Sequence, residues 1–166
     1  ARINRNQNQL SDMSELTKET EMTVNKYLEM AQSLIEYSFV VRNPDTGRVV
    51  EINLAERGVK ITLGRTKKAI GRYKPRKKEI ELSAPFLNAN LDKVWEWRDV
   101  ILHEIAHAID HQFRVKSDHS WRWKMIARDV GAKPEALNSK MKSPKGKYTV
   151  KCPQCGMSEQ KHRMKY

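Results

Sequence analysis

No apolar run in this 166-residue chain approaches the ~20 residues that a membrane-spanning helix needs, so no transmembrane helix and no membrane partner are expected. Only two cysteines occur, together in Cys152-Pro-Gln-Cys155. That spacing suits a metal knuckle or a redox pair, and it excludes the multi-bridge framework of a small secreted protein. No signal-like segment opens the chain, which starts Ala-Arg-Ile-Asn, and the expected location is therefore intracellular, cytoplasmic or with the nucleoid or nucleus, not secreted. Acidic residues are also scarce: 20 Asp and Glu stand against 32 Lys and Arg, for a net charge of +12. A field of that sign favours polyanions such as nucleic acid or anionic lipid, and charge alone does not choose between them.

What is present suffices for one domain with a small appendage. Residues 1–10, rich in Asn, Gln and Arg, read as a flexible leader, and residues 11–133 as the domain. From Ser11 to Tyr37 the positions Val24, Leu28, Ala31 and Ile35 recur at helical spacing and predict one long amphipathic helix. Asn43-Pro-Asp-Thr-Gly47 is turn chemistry that separates this helix from the strands after it. Val59–Leu63, Ala69–Tyr73 and Glu79–Ser83 alternate and predict a three-stranded antiparallel meander. Capping residues at Asn88 to Asp92 introduce a helix from about Leu91 to Phe113, with Trp95 and Trp97 expected in the core. A third helix is predicted from about Ser120 to Val130, with Asp118 or His119 near its N-cap and Gly131 just past its end. Residues 134–147 read as a basic linker and 148–166 as a knuckle segment.

The second predicted helix contains His103-Glu-Ile-Ala-His107. Residues four apart on a helix stand ~6 Å apart on one face, so His103 and His107 can offer two imidazole nitrogens to one ion. Glu104 is then placed to take a proton from water activated by that ion during attack on a peptide carbonyl. The same pattern also arises by chance on charged helix faces. Here Val100, Ile101, Leu102, Ile105, Ala106, Ala108 and Ile109 surround it, which predicts a buried helix. Burying such groups without partners costs ~1–3 kcal/mol each, and a metal supplies the partner.

A third zinc ligand is required. His111 lies ~12 Å along the axis from His103, too far to share an ion with it. Glu135 follows Pro134, beyond the predicted helix end. His119 comes twelve residues after His107, which leaves room for the chain to turn back. It lies one turn before Trp123, which heads the stripe Trp123, Ile126, Ala127 and Val130, so it is predicted to point inward.

These residues, His103-Glu-Ile-Ala-His107 followed by Asp118-His-Ser-Trp-Arg-Trp-Lys124, resemble the SprT-like (Spartan-type) zinc metalloproteases. In that family a third histidine on the next helix is followed by a tryptophan-lysine pair, matched here by His119, Trp123 and Lys124. The resemblance runs from about Val59 to Gly131 and includes the start of a C-terminal zinc ribbon at Cys152 and Cys155. Two departures stand out. Ser120 replaces the glycine that commonly follows the third histidine, and after Cys155 only His162 could continue the ribbon.

The resemblance implies a DNA-associated zinc metalloendopeptidase that cleaves proteins bound or crosslinked to DNA, with DNA as activator. Independent support comes from the run Arg65 to Lys78, where eight of fourteen residues are cationic: Arg65, Lys67, Lys68, Arg72, Lys74, Arg76, Lys77 and Lys78. Strand alternation would project several of them together toward phosphates, although a solvated hairpin has the same composition. Trp121, off the apolar stripe of its helix, could stack on an unpaired base. The expectation is an α+β, zincin-like minimal metalloprotease: a three-stranded antiparallel meander packed on helices, then a partial zinc-ribbon tail. One Zn2+ is held by His103, His107 and His119, with Glu104 as general base. A second Zn2+ is expected at Cys152 and Cys155 if the ribbon is completed. The expected partners are DNA, single-stranded or with junctions, and the proteins attached to it. The rival reading is a nucleic-acid-binding adaptor whose zinc is purely structural.

Overall fold

The computed structural model describes residues 21–134 and 141–144, and the backbone of 148–151 and 158–161. The leader and most of the stretch before Val24 lie outside the described residues. Helix α1 spans Val24–Ile35. Thr23 starts it by accepting a bond from the Lys26 amide, and residues 21–23 are not helical, so the helix is shorter at its start than the expected Ser11 to Tyr37. Its buried face is Tyr27, Ala31 and Ile35, each one turn from the next.

Asn43-Pro-Asp-Thr-Gly47 does more than end a helix. It closes a hairpin of β1, Ser38–Arg42, and β2, Val49–Asn53, which the sequence pattern did not reveal. The Asn43 side chain accepts from the Asp45 amide, and the Gly47 amide returns to the Asn43 carbonyl. Phe39, Val41 and Ile52 face inward.

Strands β3, Lys60–Gly64, β4, Gly71–Lys74, and β5, Glu79–Ser83, form a sheet in the order β3-β5-β4. This corrects the expected meander: β5 takes the centre, parallel to β3 and antiparallel to β4. The physical reason is burial. Ile80 and Leu82 of β5 are wholly enclosed, and the most deeply buried of the three strands takes neighbours on both sides.

Ser83 then caps a short helix α2, Ala84–Ala89, by accepting from the Phe86 amide, with Pro85 in its first turn. Helix α3 spans Val94–Phe113, starting three residues later than expected because Asn90 closes α2. Trp97 is fully buried, whereas Trp95 is 65% exposed, contrary to the expectation that both are core. Helix α4 spans Trp121–Val130. Its N-cap is Ser120, with Asp118 and His119 just ahead of it as expected, and Gly131, at φ 83°, ends it in the left-handed region where glycine is free of Cβ strain. Backbone strands β6, Tyr148–Lys151, and β7, Ser158–Lys161, pair antiparallel.

Asn90 is fully buried and fully bonded. Its amide nitrogen donates to the carbonyls of Phe86 and Lys142, and its side-chain oxygen accepts from the Lys142 amide. Segment 141–144, inside the expected linker, is thus strapped to the domain, with Pro144 buried. Among the described residues, no helix is long and apolar enough to cross a membrane.

Candidate metal centre

Helix α3 is enclosed by the β3-β5-β4 sheet, α1 and α4, so even its polar residues are buried: His103 is 4% exposed and Glu104 5%. One helical turn brings Nε2 of His107 to 3.2 Å from Nε2 of His103. His119, in the loop entering α4, closes the triangle, its Nε2 3.1 Å from each. The structure therefore brings together the three histidines singled out from the sequence. Trp123 forms the floor, with ring centroids 4.6, 5.1 and 4.8 Å from His103, His107 and His119.

The donor set fits a metal ion. Burial and the neighbouring rings hold the His103 imidazole down to about 3, and burial, with His119 next, holds His107 down to about 4. Both rings are neutral at pH 7 and keep a lone pair for an ion. Tetrahedral Zn–N bonds of ~2.0–2.1 Å set ligand nitrogens roughly 3.3 Å apart, close to the observed edges. Three converging nitrogens cannot all be satisfied by one another's protons, whereas one cation satisfies all three.

Burial pushes the Glu104 carboxyl up to about 7, against a bond from the Tyr73 backbone amide that favours its charged form. That amide lies on the edge of β4 that no strand covers among the described residues. The Ser83 amide bonds the Ile70 carbonyl opposite it, so antiparallel alternation turns the backbone groups of Arg72 toward β5 and those of Gly71 and Tyr73 away from it. The Tyr73 ring stands 5.5 Å from that of His111, which belongs beside the sheet rather than in the triangle.

Several residues that sequence reasoning missed hold this centre. Arg114 pairs with Asp110 through two bonds of 2.7 Å and reaches Asp118 at 2.8 Å. Asp118 is held well below the usual carboxylate range, first by the Ser120 hydroxyl and then by Arg114. The i,i+4 spacing of Asp110 and Arg114 was the available signal. Nothing comparable marked Ser117, whose Oγ lies 2.8 Å from Nδ1 of His107.

The cationic residues do not act as one surface. Gly71 and Tyr73 face α3, so Arg72 and Lys74 face the other side of the sheet. There both bind Glu81, at 2.9 and 2.5 Å. A Cβ at Gly64 would collide with that carboxylate, which explains this glycine in β3. Arg65, Lys67 and Lys68 lie exposed in the β3–β4 connection, and Arg76, Lys77 and Lys78 in the β4–β5 turn. Trp121 is 53% exposed, with the Arg122 guanidinium 4.7 Å from its ring centroid. Cys152 and Cys155 lie outside the described residues.

A small mixed sheet and helices around three convergent histidines, with a buried glutamate beside the first, define a metalloprotease-like α+β domain. The chain belongs to the SprT-like family, whose sequence model matches residues 45–143. Comparison with curated proteins and with solved structures returns no match.

Proposed function

We propose that this protein is a zinc-dependent endopeptidase of zincin-like architecture that acts on proteins bound or crosslinked to DNA. The observation that carries the peptidase reading is the approach of the His103, His107 and His119 Nε2 atoms to within 3.1–3.2 Å, with Glu104 buried on the same helix. His103, His107 and His119 would hold the ion. Zinc, when bound, supplies Lewis acidity that activates water and polarises a peptide carbonyl.

The chain's own residues supply the rest. Glu104 takes a proton from the attacking water and returns it to the leaving amine. Burial in the metal-free chain raises this carboxyl above its ordinary value, which strengthens it as a proton acceptor. The open edge of β4 offers the Gly71 backbone groups and the Tyr73 carbonyl for an added substrate strand. Burial around α3 keeps bulk water from competing with these groups.

The DNA half of the reading rests on family membership and on the exposed cations of the β3–β4 connection and the β4–β5 turn.

The deciding experiment compares zinc-loaded wild type with Glu104→Gln on a DNA-binding protein, with and without single-stranded DNA. Cleavage by the wild type alone, increased by DNA, is expected. Equal activity in both proteins overturns the mechanism. Nucleic-acid binding with no cleavage by either favours the adaptor with structural zinc.

A further inference from the structure

Asp110 and Ser117 lie outside the histidine triangle, and the proposed peptidase chemistry does not use them. The Asp110 carboxylate is 1% exposed and is held by Arg114 through Nε and Nη2, each bond 2.7 Å. Ser117 Oγ sits 2.6 Å from Asp110 Oδ2 and 2.8 Å from His107 Nδ1.

The proton count along this chain has one solution. A carboxylate only accepts, so the Ser117 hydroxyl directs its single proton to Asp110. Ser117 then meets His107 only as an acceptor, and the proton of that contact belongs to Nδ1 of His107. In a neutral imidazole with its proton on Nδ1, the free lone pair is on Nε2. Nε2 is the atom that faces His103 and His119. His103 has no such support: its Nδ1 is buried with no partner among the described residues.

We propose that Ser117, backed by Asp110 and Arg114, is a positioning residue that fixes His107 in the Nδ1–H tautomer and thereby sets the metal affinity of the centre. This inference rests on the metal-centre reading and deepens it. The same guanidinium also holds the loop that delivers the third histidine, through Asp118 at 2.8 Å and Ser120 at 3.3 Å. One ion pair on the last turn of α3 therefore orients one histidine ring and the backbone that carries another.

The test uses the full chain as wild type, Ser117→Ala, Ser117→Thr and Ser120→Ala. Ring 15N spectra of the metal-free chain read the tautomer, and chelator competition reads the zinc dissociation constant. The wild type should show His107 protonated on Nδ1. Ser117→Ala should lose that preference and bind zinc about 10–100-fold more weakly, the usual effect of removing a hydrogen-bond partner of a metal-ligating histidine. Ser117→Thr, which restores the hydroxyl, should recover both readouts. Ser120→Ala removes a hydroxyl that touches Arg114 but not His107 and should leave the His107 tautomer as it is in the wild type. Melting of the metal-free variants checks that each remains folded. A wild-type His107 protonated on Nε2, or undiminished zinc affinity in Ser117→Ala, overturns the relay. A wild type that binds no zinc overturns the metal-centre reading instead, and the spectra of the metal-free chain still decide the tautomer.

Discussion

The backbone amide of Tyr73 in β4 favours the charged form of the Glu104 carboxyl in α3, linking a sheet edge electrostatically to the helix that carries the histidines. That influence needs only an oxygen at residue 104. An amide side chain supplies one, so Glu104→Gln keeps the local geometry while removing the proton acceptor. Zinc affinity should stay at the wild-type level and peptide cleavage should fall by roughly 10²–10⁴-fold, the usual contribution of a positioned general base. Dialysis against zinc and a quenched peptide assay separate the two readouts.

His119 reaches the centre from a loop, whereas His103 and His107 share one helix. His119→Ala should therefore leave the metal-free fold intact and remove most of the zinc affinity. Ligand that binds only the folded state stabilises it by about 2.7 kcal/mol at a hundred times Kd. Zinc should raise the melting temperature of the wild type by several degrees and that of His119→Ala far less. A calorimetric scan at matched zinc concentrations reads the difference.

Glu81 is held below the ordinary carboxylate value of 4.5, first by its bond to Lys74 and then, against the effect of burial, by Arg72. Its unfolded form therefore takes up a proton at a higher pH than its folded form. The stabilisation is complete above 4.5 and is lost as the pH falls through the lower, folded-state value. Glu81→Gln should lower stability by about 1–2 kcal/mol at pH 7, a modest figure because Arg72 is half exposed. The gap from wild type should close in acid. Urea unfolding at pH 7 and below pH 4.5 tests both statements.

The Glu81 pairings also divide the cations by task. Reversing Arg76 and Lys77 together to glutamate should weaken single-stranded DNA binding and lower the salt slope by about 0.7 for each phosphate contact removed. Lys74→Ala should lower stability and leave that slope unchanged. Fluorescence anisotropy over a salt series distinguishes the two variants.

The metal motif was legible because its spacing along α3 is itself the geometry: His103 and His107 meet through one helical turn. His119 was legible through the apolar stripe beginning at Trp123, which fixes the inward side of α4. The sheet was harder to read. Nothing in the alternation of Val59–Leu63 states that its partner is Glu79–Ser83 rather than the strand between them, because that choice depends on which strand the helices cover. The β1–β2 hairpin was missed although its turn was recognised, since both flanking runs are short. Trp95 and Trp97 illustrate a signal left unused: residues two apart on a helix point to nearly opposite sides, so both could not be core. Ser117 had no signal at all, because a loop hydroxyl acquires meaning only from what the fold sets beside it.

The bonds between Asn90 and Lys142 make an attachment point. After α4 the chain comes back to the domain at segment 141–144, held by Asn90 just ahead of α3. His103 lies nine residues into α3 after Val94, which at ~1.5 Å per residue places the start of α3 about 14 Å back along the axis from it. The separation between this attachment point and the metal centre is therefore set by the rigid length of α3, and changing the number of residues that join α4 to the anchor leaves it unaltered.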